Sequence, residues 1–275
     1  MSQWHLTLKA QPSLRLDLRS INPAALAELN QREIEHLPLP CGNTFMPLGE
    51  WFSVQPLASA QTDLLIEGDL SQVDRVAWQL AGGHVRVQGP VGDYLGTAMT
   101  GGHVTVHGNA GVLAACEMAG GHLTVNGNVG DFAASTLPGS MDGMRGGQLV
   151  VHGNAGSRLA DRMRRGTVVV HGSVGDFAAS RMVAGTVAIA GGCGVHPAWG
   201  MRRGSLVFAT HDEQQRPQPS ATFVPAVADA AVFWQLLARD LAPHGGAFAG
   251  LPARPVRRWL GDLATDGKGE MIFPQ

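Results

Sequence analysis

The chain has 275 residues, is 44% hydrophobic and carries a formal net charge of −2. That length supports one large domain or two modest ones with a real core, and the near-neutral balance removes the electrostatic case for nucleic acid. Cys41, Cys116 and Cys193 are far apart and form no C-x-x-C pair, which argues against a disulfide framework, a zinc knuckle or an iron–sulfur site.

The opening "MSQWHLTLKAQPSL" lacks the basic and apolar regions of a signal peptide. No apolar run approaches the roughly 18 residues of a membrane span. A soluble protein of a reducing, cytoplasmic compartment is expected. Residues 4–9 and 14–18 alternate around Gln11–Pro12–Ser13 and predict a β-hairpin. Asn22–Pro23 reads as an N-cap with proline at the first helical position, opening a helix through about Glu35. "CGNTFMPLGEWFSV" (41–54) then leads out of an N-terminal cap, 1–62, which should plug one end of the repeats at 63–210.

In those repeats a glycine after each strand falls at Gly68, Gly89, Gly108, Gly127, Gly153, Gly172 and Gly191, and Thr210 takes the next place. The gaps are 21, 19, 19, 26, 19, 19 and 19. "DFAAS" recurs at 131–135 and 176–180, so the gap of 26 is a 19 with "TLPGSMD" (136–142) inserted as a surface loop. About eight short β-rich coils of one period predict a mainly β protein, a β-helix solenoid. One column, Val85, Val104, Leu123, Leu149, Val168, Val187 and Leu206, should face inward. A second, Val87, Val106, Val125, Val151, Val170, Ile189 and Phe208, shares that face by the period of two. The repeated G-x-x-G is then a corner, where a side chain would clash or φ must be positive. It lacks the helix and downstream acid of a nucleotide loop.

Outward positions change along the repeat. His84, His103 and His122 form one histidine column, and His107, His152 and His171 lie in another. No acid or cysteine joins either column to complete a metal shell, so polar ladders are expected and no metal. Asp93, Asp131 and Asp176 follow corner glycines and should cap turns. Val150, Val169, Ala188 and Val207 form an apolar stripe on the outer face. Such a stripe is normally covered, here by the chain's own C-terminal helix or by another subunit, and it is the candidate partner interface. Arginine also lines up: Arg145, Arg164 and Arg202 share one repeat position, Arg165 and Arg203 the next, and Arg162 and Arg181 another. Stacked like charges call for pairing within the chain, solvation or an answering anion; the last reading marks these seven as a candidate edge for an acidic partner or a polyanionic cofactor tail. No nucleophile–base pair or paired-acid motif is present, and no catalytic residue is predicted. Residues 211–275 should supply an irregular arm, a helix over 226–240 and an extended tail, "GDLATDGKGEMIF".

The unit "MRGGQLVVHGNAG" (144–156) resembles the C subunit of formylmethanofuran dehydrogenases and also the C-terminal β-helix domain of glutamate synthase. "CGNTFMPLGEWFSV" and the "GDLATDGKGEMIF" tail favour the former, and an arginine-rich, lysine-poor composition resembles the methylotroph version, from formyltransferase/hydrolase complexes. The resemblance implies a non-catalytic subunit of a complex that moves a formyl group from formyl-tetrahydromethanopterin to a methanofuran-type carrier and releases formate. It also implies sister subunits: a formyltransferase, an amidohydrolase-like subunit and one of the B type. The alternatives are a glutamate-synthase-like scaffold for amidotransferase-type complexes and a β-helix enzyme, the latter disfavoured by the absence of a six-residue repeat. The first gap of 21, with Ala81 and Arg165 in place of paired glycines, departs from the pattern locally.

Overall fold

The computed structural model describes residues 3–58, 61–210, 212–226 and 231–275. Its N-terminal segment forms β1 (Trp4–Leu8), β2 (Leu16–Asp17), α1 (Pro23–Leu26), α2 (Gln31–Glu35), β3 (Pro38–Cys41), β4 (Thr44–Pro47), α3 (Leu48–Trp51) and β5 (Phe52–Pro56). The expected hairpin is replaced by a different pairing. Strand β1 runs antiparallel to β5 and parallel to β6 (Leu64–Glu67), while β2 joins β3 and β7 (Val73–Asp74) in a separate four-stranded sheet. The reason lies in the inner columns: Leu6 sits opposite Ile66, and both are buried. Pairing β1 with β2 instead would leave the first strand of the repeat with a bare edge. The single predicted helix is also divided. Asn22 caps α1, and Asn30 caps α2 through a reciprocal capping box with Glu33.

The repeat builds a parallel ladder. Strands β8 (His84–Gln88), β9 (Thr100–Val106), β10 (Gly120–Val125), β11 (Arg145–Val151), β12 (Arg165–Val170), β13 (Thr186–Ile189) and β14 (Ser205–Phe208) pair in chain order. Val104 lies beside Leu123, Leu149 beside Val168 and Val187 beside Leu206, and both predicted inner columns are buried throughout. A second row of bridges runs from Leu70 through Val91, Ala110, Val129, Ala155 and Val174 to Cys193. Side chains tie successive repeats too. Asp93, Asp131 and Asp176 accept from the backbone N–H of Val112, Ser157 and Val195 at 2.9, 2.7 and 2.9 Å. Asn109 and Asn128 do the same for Asn128 and Asn154 at 2.8 and 2.7 Å.

The marker glycines serve close approach more than unusual φ. A Cβ on Gly127 would sit 2.6 Å from the carbonyl oxygen of Gly108, and neither residue has a positive φ. Among the marker glycines only Gly68 and Gly89 have a positive φ; the other positive angles include Gly121 and Gly166, at the second residue of β10 and β12, and non-glycine residues in the turns.

Beyond the ladder lie β15 (Val224–Pro225), α4 (Ala231–Leu241), β16 (Val256–Gly261) and β17 (Gly269–Pro274). The start of the predicted 226–240 helix, at 227–230, lies outside the described residues. The tail does more than extend: β17 pairs in parallel with β14, and β16 and β15 then add antiparallel. Among the described residues this gives one sheet of 13 strands, ending at one side in β5 and at the other in β15.

The apolar stripe requires a correction. Val169, Ala188 and Val207 are fully buried and Val150 nearly so, packed with Trp234, Ala238 and Leu241 of α4 and with Phe248, Leu251 and Ile272. Helix α4 has its own apolar face to bury, and the stripe is the surface it meets; Trp234 is fixed there by an Nε1–H bond to the Arg254 carbonyl at 2.8 Å. The four residues form an internal seam and are not accessible to a partner.

Candidate functional site

The predicted arginines lie on the turn side of the later repeats. Three consecutive turns place Arg158, Ala160 and Arg162, then Phe177, Ala179 and Arg181, then His196 and Ala198, at φ between 53° and 59°. For a residue with a Cβ this conformation costs on the order of 1 kcal/mol. Repeat-to-repeat hydrogen bonds hold it: Arg162 N–H to Ser180 O at 2.9 Å, Phe177 N–H to Val195 O at 2.9 Å and Arg181 N–H to Trp199 O at 2.7 Å. The three alanines are buried. The columns beside them, carrying Arg158, Phe177 and His196 on one side and Arg162 and Arg181 on the other, reach the surface.

Arg162, Arg164, Arg181 and Arg202 converge on a groove of about 590 Å³, completed by Met141, Val183, Trp199, Asp262 and Thr265. The seven-residue insertion supplies Met141 and Asp142, and the C-terminal tail supplies Asp262 and Thr265. Arg181 forks onto Asp161, with Nε at 2.9 Å and the terminal nitrogen closer, and the buried Asp161 also accepts from Ser180 Oγ at 2.8 Å. Arg164 Nε donates to Asp142 at 2.6 Å in an exposed pair of the kind that contributes about 0–1 kcal/mol. Burial would raise the Asp262 carboxyl, yet hydrogen bonds from the Thr222 side chain and from the amides of Gly200 and Ala264 outweigh it and hold the pKa low. Among the described residues Arg162 and Arg202 have no carboxylate within ion-pair distance. Arg145, Arg165 and Arg203 are exposed beside the groove without lining it, Arg145 lying opposite Arg165 in the ladder.

Sequence reasoning missed the aromatic strip along this edge. Arg158 lies over Phe132 and Phe177 at 5.9 and 5.0 Å from the ring centroids, Phe177 packs against His196 at 5.1 Å, and it meets Trp199 edge-on at 6.4 Å. Phe132, Arg158, Phe177 and His196 share one repeat position, so tabulating aromatics by the same period would have revealed them.

The histidine columns are stacks of rings. His84, His103 and His122 follow one another at 4.9 Å, and His152 lies 4.7 Å from His171. Burial, with neighbouring histidines second, lowers the pKa of His103, His171 and His244. Among the described residues no three His, Cys, Asp or Glu side chains gather as a metal site would require. Burial also raises the Cys193 thiol to about 12. A second cleft, of about 560 Å³, lies between α4 and β16. At its wall the buried Arg254 donates to the carbonyls of Ala209, Pro274 and Gln275 at 2.8, 2.7 and 3.2 Å.

No family model matches the chain. The C subunit of the tungsten-containing formylmethanofuran dehydrogenase 2 of Methanothermobacter marburgensis is 33% identical over 99 residues, 35% of this chain and 37% of that protein. The C subunit of the formyltransferase/hydrolase complex of Methylorubrum extorquens is 40% identical over 90 residues, 33% of each. These sequence matches thus span about a third of the curated relatives' length. The fold comparison is far more extensive. A chain from the crystal structure of the Methylorubrum extorquens formyltransferase/hydrolase complex with methylofuran superposes with a TM-score of 0.89 and 40% identity, covering 98% of this chain and 99% of that one. With that identity sustained from end to end, the chain belongs to the C-subunit family of formyltransferase/hydrolase complexes and formylmethanofuran dehydrogenases.

Proposed function

We propose that this chain is a structural, non-catalytic subunit of a formyltransferase/hydrolase complex. That complex transfers a formyl group from formyl-tetrahydromethanopterin to a methanofuran-type carrier and releases formate. The observation that carries the reading is the end-to-end match, at 40% identity, to a chain of such a complex bound to methylofuran. The glutamate-synthase-like alternative is not favoured, because that match draws on both tails as well as the repeats. The partners are a formyltransferase, an amidohydrolase-like subunit and a B-type subunit, all in the cytoplasm, and the reaction takes place on those chains.

In this reading the ladder is a solenoid of about eight 19-residue coils (63–210), with an N-terminal cap (1–62) and a C-terminal arm, helix and tail (211–275). The 19-residue spacing of strands, bridges and side-chain ties supports it. The seven arginines, Arg145, Arg162, Arg164, Arg165, Arg181, Arg202 and Arg203, form its edge for an anion or an acidic partner. The test is purification of the tagged chain from its own cells, with native mass and subunit identity as the readout. Co-purification with formyltransferase and amidohydrolase-like chains is expected. A chain recovered alone or only with itself would contradict the proposal.

A further inference from the structure

The arginine groove and the aromatic strip beside it carry an inference about the partner. We propose that they bind an extended, acidic segment of a sister subunit, with Trp199 as the apolar anchor of the contact. This rests on the subunit reading above and adds the place and chemistry of one interface.

The charge is the first argument. Four guanidinium groups line the groove, and among the described residues carboxylates answer Arg164 and Arg181 alone, through Asp142 and Asp161. Asp262 is occupied by the amides of Gly200 and Ala264. Arg162 and Arg202 line the groove with no carboxylate within ion-pair distance among the described residues, and the backbone N–H of exposed Lys268 bonds to the Arg202 carbonyl at 2.6 Å. This concentration of positive charge sits on a chain whose net charge is −2. Guanidinium groups match the bidentate geometry of carboxylates and phosphates alike, and the carboxylate is the one that an unmodified polypeptide carries.

The residue types are the second argument. Met141 is 64% exposed, Trp199 54% and Phe132 38%, and Arg158 is held between Phe132 and Phe177. Arginine, tryptophan, phenylalanine and methionine are the side chains enriched in interface cores. The strip runs over several repeats beyond the groove itself, a footprint for a polypeptide and larger than a free anion needs. Arg162 and Arg202 lie two repeats apart along the ladder, a rise of roughly 10 Å, in columns two positions apart, a separation that carboxylates about four residues apart on an extended strand can span.

The test uses the assembled complex. Benzoylphenylalanine is placed at Trp199 and, separately, at Met141, and the products of illumination are mapped by mass spectrometry. The expected product joins this chain to a sister-subunit segment in which Asp and Glu outnumber Lys and Arg. The Arg162→Glu/Arg202→Glu variant should lower that yield about tenfold or more, while Arg162→Lys/Arg202→Lys retains most of it. An intact assembly with no cross-link at either position overturns the proposal alone. So does a cross-link to a second copy of this chain or to a segment without acidic excess, or full cross-linking by the double Glu variant. A wild-type chain recovered without partners overturns the subunit reading and this proposal with it.

Discussion

Strands β8–β10 and β11–β14 share one backbone geometry and differ on their outward face. The central outward column is Arg86, Thr105 and Thr124 in the first set and Val150, Val169, Ala188 and Val207 in the second. The first three reach the surface; the second four are buried beneath α4 and the turns after it. The repeat therefore fixes where a side chain points, and the residue placed there decides what lies above it. The C-terminal segment is committed to closing the apolar half, which leaves the polar half and the arginine edge accessible.

That contrast can be broken by mutation. The largest effect is expected from Val169→Asp, which places an unpaired carboxylate under α4 and should cost about 3 kcal/mol or more in urea denaturation. Thr105→Asp, at the equivalent place on the polar half, should cost below about 0.5 kcal/mol. Equal losses would erase the distinction between the halves. Trp234→Ala removes both a buried ring and the bond to the Arg254 carbonyl, and should cost about 3 kcal/mol. Limited proteolysis should then cut within 231–253 while β8–β10 stay intact.

Acid should loosen the same half. His171 on the ladder and His244 after α4 both have pKa values lowered in the fold, chiefly by burial, with His152 contributing to each. A lowered folded pKa means the unfolded chain binds more protons, so stability is complete above the ordinary histidine value of about 6.5 and falls as pH drops below it toward the folded values. Thermal melts from pH 8 to 5 should show this decline, and His171→Gln should reduce its slope. The smallest effect is expected for Thr124→Val on the polar half, within about 0.5 kcal/mol of wild type by the same melts.

Much of the ladder was legible because two periods coincide in it. Alternation identifies the inner columns, and the 19-residue recurrence sets their register, so Val104 beside Leu123 is legible in the sequence. Other features depend on contacts that pattern does not encode. The alternation at 4–9 could not say that its partners are β5 and β6, since a strand carries no mark of which edge it completes. Ala160, Arg162 and Phe177 at positive φ run against propensity and are held there by hydrogen bonds from neighbouring repeats. The outward stripe was visible, but α4 as its cover was only one of two possibilities. The arginine columns were equally visible, yet four of the seven meet in one groove only because the insertion, Trp199 and the tail complete its walls.

The most direct test is amide hydrogen exchange on the chain alone and in its assembly. The account predicts that α4 and the strands beneath it exchange slowly in both states. Residues 160–164, 181–183 and 199–203 along the arginine groove should slow only in the assembly. Rapid exchange of α4 in the isolated chain, slowed by the partners while the arginine groove is unchanged, would contradict it. That result would mean that the sister subunits, and not this chain, cover the apolar half of the sheet.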